Sequence, residues 1–225
     1  LLDQYCERTE PGLWAEPVNV LSNLAFIVAG LLALRAYRQR PLSGREWDLW
    51  TLMAILFAIG LGSTIWHLFA TRWALRADTL PIMAFINLYL LSCLFRVLRT
   101  GIIVGLLIFA GYHIVNQFVL RTIPPGFLNG SVYYLPTWLF LAGITVTVAV
   151  RGQAIRRGYM LATGLFTLSL GFRSVDELLC GGLPLGTHFL WHLLNAVTLY
   201  ILLVTLFEAS GERDRHLAST PSART

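Results

Sequence analysis

Apolar residues in this chain fall in long runs broken by short polar connections, not in the period-two alternation of strands or the one-sided stripe of soluble helices. A bilayer core needs about 20 mostly apolar residues per helix. Seven runs come near that length: residues 19–37, 48–70, 79–97, 101–119, 132–150, 158–173 and 187–207. The sixth is the shortest, and without it the two termini would share one side. The pattern predicts an all-α integral membrane protein of seven transmembrane helices. Residues 1–18 form an acidic leader, 19–208 the membrane domain and 209–225 a flexible tail rich in Ser, Thr and Arg. No internal repeat is visible, and the connections are too short for a second domain.

Composition agrees with the pattern. Of the 225 residues 56% are hydrophobic and 13% charged, against roughly 25% charged in soluble domains. A net charge of +5 in a soluble chain would point to nucleic acid. Here every basic residue is arginine, scattered through short loops, so the charge reports topology and excludes a nucleic-acid partner. Arg38, Arg40, Arg45, Arg96, Arg99, Arg151, Arg156 and Arg157 fall on one side of the membrane; Arg8, Arg72, Arg76, Arg121 and Arg173 fall on the other. The bias predicts the leader outside and the tail in the cytoplasm. Lysine-free, arginine-rich and alanine-rich usage resembles a GC-rich bacterial gene, which predicts a bacterial inner membrane.

Ionisable groups inside a membrane are costly and mark function. The second run, in "LGSTIWHLFAT", places His67 about one turn from its end and Ser63 one turn deeper on the same face. The seventh, in "GTHFLWHLLNA", places His188 at its mouth and His192 one turn in, and Asp78, in "RADTLPIM", opens the third. Alternating helix directions put all five side chains in one layer on the leader side. Histidines at i and i+4 plus a third from a facing helix make three neutral ligands, and a catalytic zinc keeps a fourth position for water. Water bound there has a pKa of about 7. Ser63 is placed to donate a hydrogen bond to a developing oxyanion, and Asp78 to take a proton from water and pass it to a leaving group. Those parts describe hydrolysis of an amide or ester. His113, near Asn116 and Gln117, lacks a companion at ligand spacing and reads as polar packing; Cys93 reads as a small core residue.

The combination SxxxH (Ser63, His67), Asp78 and HxxxH (His188, His192) resembles the seven-helix intramembrane hydrolases that include alkaline ceramidases, adiponectin receptors and Per1-like proteins. The leader, "DQYCERTEPGLWAEPVNVLSNLAFIVAG", is similar to that of the alkaline ceramidases. The resemblance implies an amidase of ceramide-like N-acyl lipids that releases fatty acid and sphingoid base. Zinc would sit on His67, His188 and His192, with Ser63 and Asp78 assisting. It also implies a disulfide between Cys6 and Cys180. A regulatory calcium in the leader would bind Tyr5 (through its carbonyl), Glu7, Thr9 and Glu16. The family's leading aspartate is replaced by Gln4, with Asp3 displaced by one position, and the stretch between Thr9 and Glu16 is shorter than in the family.

Two other functions fit parts of the pattern. A receptor-like protein would hold a structural zinc and bind a lipid without turnover; it would need neither Ser63 nor Asp78. A metal transporter would carry polar groups right through the membrane, whereas these gather on one side. Another lipid ester or amide remains an alternative substrate, since many bacteria make no sphingolipids.

Overall fold

Every regular element is helical among residues 4–40, 46–124 and 126–219, which the computed structural model describes, with side chains given to Gly211. The first span is two helices, α1 (Pro17–Ser22) and α2 (Leu24–Arg38). They are joined at Asn23, whose side chain donates to the Asn19 carbonyl at 2.9 Å. Next come α3 (Trp47–Phe69) and α4 (Arg72–Ser92), the latter continued by a π-helical turn over Cys93–Val97. After them follow α5 (Ile102–Thr122), a 3₁₀ segment (Phe127–Tyr134) leading into α6 (Leu135–Val150), α7 (Arg156–Leu179) and α8 (His188–Ser219). The expected tail of 209–225 is thus helical as far as Ser219, and 220–225 lie outside the described residues.

Among the described residues six segments are long and apolar enough to cross a bilayer: Pro17–Arg38, Trp47–Phe69, Arg72–Val97, Ile102–Thr122, Phe127–Val150 and His188–Gly211. This is a multi-pass integral membrane protein. The exception, α7, is 24 residues long but carries Arg156, Arg157, Arg173, Asp176 and Glu177. It packs most extensively on α8, and α3 packs most extensively on α4. The sequence pattern ends this run at residue 173, but the helix continues to Leu179, with Asp176 buried and bonded to the leader at Cys6.

The start of α4 also differs from expectation. Asp78 was expected to open this helix, but it lies more than a turn inside it. Ala70 ends α3 in a left-handed conformation (φ 44°), and Thr71 caps α4, accepting from Ala74 N–H at 3.4 Å. A tight turn with a cap starts the helix among polar residues, ahead of the apolar stretch.

Candidate metal centre

Three histidines converge at the leader end of the bundle. His67 comes from the last turn of α3, and His188 and His192 from the first turns of α8. Their candidate ligand nitrogens lie within 4.8 Å of one another, and all three side chains are buried. Neighbouring hydrogen bonds fix the tautomers. Glu16 Oε2 stands 2.5 Å from His67 Nδ1, so Nδ1 carries the proton and Nε2 keeps its lone pair. Ser22 Oγ donates to the Asn19 carbonyl at 2.8 Å. At its 2.7 Å contact with His192 Nδ1 it therefore accepts, which leaves His192 Nε2 unprotonated as well.

The two Nε2 atoms face each other at 3.2 Å. Two buried acceptors with no proton between them are unfavourable, and a cation among them removes the conflict. His188 Nδ1 is a further buried nitrogen with no hydrogen-bond partner among the described residues. Three neutral imidazoles, two with the far nitrogen held by a carboxylate or hydroxyl, are the donor set of a catalytic zinc. The residues fit that metal.

Ser63 and Asp78 reach the same place. Ser63 Oγ is 3.4 Å from His192 Nε2. Gly62 lets α4 come close: a Cβ there would collide with the Ala77 carbonyl oxygen and meet Asp78 Cα at 3.3 Å. One small cleft is lined by Ser63, Asp78, His188, His192, Tyr5 and Arg173. Asp78 Oδ1 is buried with no hydrogen-bond partner among the described residues, an acceptor held ready.

This cleft adjoins an apolar cavity that is open on one side. Phe26, Ile59, Ile82, Tyr134 and Trp191 line both. Along α8 the cavity runs from Trp191 through Asn195, Thr198 and Leu199 to Leu202. At 1.5 Å per residue this is about 16 Å, close to one leaflet of a core about 30 Å thick. At that depth Tyr89 Oη meets Tyr159 Oη at 3.2 Å and donates to the Leu202 carbonyl at 3.1 Å.

The leader packs directly on the histidines. Tyr5 stacks its ring on His188 with centroids 3.7 Å apart. Cys6 and Cys180 form the expected disulfide, with Cα atoms 5.0 Å apart. Asp176, fully buried on α7, accepts from the backbone N–H groups of Cys6 at 3.2 Å, Thr187 at 2.5 Å and His188 at 2.9 Å. It thereby caps α8 at its first zinc-ligand candidate. Gly186, with φ +62°, permits this approach, since a Cβ there would strike Asp176 Oδ1.

The carboxylates assigned to calcium by resemblance are otherwise engaged. Glu7 accepts from Val18 N–H at 2.6 Å and Asn19 N–H at 2.8 Å. Burial pushes its carboxyl above the usual range despite these bonds. Glu16 accepts from Arg8 Nε at 2.5 Å, His67 Nδ1 and Asn19 Nδ2 at 3.1 Å. Burial works against its ionisation, but those bonds outweigh burial and hold the carboxyl below its usual range. Thr9 is exposed, and Asp3 lies outside the described residues. The described groups do not fit a calcium ion.

Several site groups had not been singled out from the sequence. Ser22 and Asp176 carried no signal there. Arg8 and Arg173 counted only towards topology. Arg173 in fact turns inward, its guanidinium 5.3 Å from the Trp191 ring centroid, 5.8 Å from Tyr134 and 6.0 Å from Tyr5. Its Nη1 donates to Tyr5 Oη at 3.4 Å, and its buried Nε has no partner among the described residues. His113 makes ring contacts with Phe109 and Tyr112 and takes no part in the cluster.

Fold and site together define a polytopic membrane protein with a buried three-histidine centre beside an apolar cavity. Residues 4–217 match the family model described as ceramidase, and the chain belongs to that family. The family implies a hydrolase acting on the amide bond of a lipid substrate, ceramide. No curated protein matches the chain.

Proposed function

We propose that the protein is a zinc-dependent intramembrane hydrolase that cleaves the amide of ceramide-like N-acyl lipids to a fatty acid and a sphingoid base. The observation that carries this reading is the convergence of His67, His188 and His192, their ligand nitrogens within 4.8 Å of one another, beside Ser63 and Asp78. Zinc held by His67, His188 and His192 supplies a Lewis acid and an acidified water at neutral pH. Asp78 takes a proton from the water that adds to the amide carbonyl carbon and returns it to the amine nitrogen as the C–N bond breaks. Ser63 donates to the carbonyl oxygen as negative charge grows there, and Arg173 adds a fixed positive charge on the same side. The lipid's chains lie in the apolar cavity, which spans about one leaflet.

In this reading the bundle crosses the membrane seven times. α7 is the sixth crossing, long enough at 24 residues, with Arg173 and Asp176 turned towards α8. Residues 1–18 face the extracytoplasmic side of a bacterial inner membrane and 209–225 the cytoplasm. The arginine bias supports this orientation, and so does the Cys6–Cys180 disulfide, which forms in an oxidising compartment.

The test uses purified protein in detergent and a panel of N-acyl lipids. Wild type should carry about one zinc per chain and release fatty acid. His192→Ala should lose the zinc, while Asp78→Ala should keep it and lose about 100-fold or more in turnover. Zinc without turnover on any lipid of the panel would favour the receptor-like alternative, and turnover confined to other esters or amides would change the substrate.

A further inference from the structure

One carboxylate that the family resemblance assigns to calcium, Glu16, already meets a positive charge from the leader. Arg8 is only 6% exposed. Its Nε lies 2.5 Å from Glu16 Oε1, Nη1 donates to the Gly12 carbonyl at 3.3 Å, and Nη2 donates to the His67 carbonyl at 2.7 Å. The Tyr5 carbonyl, another oxygen assigned to calcium, accepts from Arg8 N–H at 3.2 Å. A carboxylate and two carbonyls around one buried cation are the oxygen donors a calcium ion would draw together. A guanidinium answers the same need: it is always charged, more weakly hydrated than an ammonium, and carries five donors in a planar fork.

We propose that Arg8 is a resident cation that replaces calcium in this chain and positions the zinc ligand His67. Three links make up the device. Arg8 neutralises Glu16, which would otherwise be a buried unpaired carboxylate. It also grips the carbonyl of His67, one of the last four of α3 and so without an intrahelical partner, at the helix end that attracts positive charge. Glu16, held in place, uses its second oxygen to fix the Nδ1–H tautomer and the ring direction of His67. The leader thus does structurally what an exchangeable ion would do, and it cannot be stripped by a chelator. The positioning part rests on the zinc reading above; the replacement of calcium does not.

The experiment uses the full chain in detergent, dialysed into calcium-free buffer. Adding millimolar calcium chloride should leave the thermal midpoint of wild type unchanged, and equilibrium dialysis should find no bound calcium. Arg8→Gln should lower the midpoint and weaken zinc about 10- to 100-fold in a chelator competition. Arg8→Lys should recover part of both, since it restores the charge without the fork. Arg8→Gln combined with Glu16→Gln should be more stable than Arg8→Gln alone, because no buried carboxylate is left unpaired. A saturable calcium-dependent rise in the wild-type midpoint would overturn the replacement. Wild-type zinc affinity in Arg8→Gln would overturn the positioning role. If Arg8→Gln does not fold, the wild-type calcium titration and Arg8→Lys still decide. A wild type without zinc or turnover would sink the proposed function and leave the calcium result readable.

Discussion

Two arginine–carboxylate pairs lie at opposite ends of this bundle and do different work with the same chemistry. At the leader end Glu16 divides its oxygens, one to Arg8 and the other to His67 and Asn19. At the tail end Asp48 gives both oxygens to Arg96, at 2.6 and 2.8 Å, with Ser92 donating at 2.8 Å, and Arg96 reaches on to Ser210 Oγ at 3.2 Å. The second network ties α3, the π turn and α8 together. The first passes its constraint to a candidate metal ligand, His67. What distinguishes a brace from a positioning device is where the carboxylate's remaining oxygen points.

That contrast can be broken from either side. The largest effect should come from Asp48→Asn, which takes the carboxylate charge away from the partly buried guanidinium of Arg96 and should cost about 3 kcal/mol in unfolding from mixed micelles. Zinc per folded molecule should not change; a loss of zinc would mean that the tail-end pair also serves the site. Gly62→Ala should come next. The added methyl drives α4 and Asp78 away from Ser63, and a shift of about 1 Å is worth on the order of 100-fold in kcat/KM, with zinc retained. Glu16→Gln should weaken zinc about 10- to 100-fold while the chain stays folded, the reverse of Asp48→Asn. The smallest pair is Ser22→Ala against Ser92→Ala. The first should weaken zinc about 10-fold, and the second should lower stability by about 1 kcal/mol and leave zinc alone. Equal effects of the two serine changes on zinc affinity would erase the distinction between the ends.

Much of the site could be read from the sequence because its signals are local. HxxxH and SxxxH place side chains on one helical face whatever the fold, and an apolar run is enough to set depth. The same reading misplaced Asp78 by assuming that a helix begins where its apolar stretch begins, whereas Thr71 and the left-handed Ala70 start it earlier. It took Arg8 and Arg173 as loop charges, since a one-dimensional count cannot tell an arginine facing water from one folded back over a histidine or a cage of aromatic rings. Glu16 was singled out, but its neighbours could not be read: only the path of the leader brings the Arg8 guanidinium and the His67 ring to its carboxylate. Asp176 was invisible for a related reason: its three donors lie at Cys6, Thr187 and His188, in two segments that sequence spacing does not link to it.

Asp176 and the Cys6–Cys180 bond clasp the first residues of the chain to the turn before its last helix. The histidine centre therefore cannot form until the chain has been made as far as α8. His67 waits in the membrane without its neighbours, and the leader waits without its socket, until α8 is inserted. Oxidation of the two thiols is then a closing latch on a completed assembly, and a metal held by the three histidines would be taken up only at the end of biogenesis.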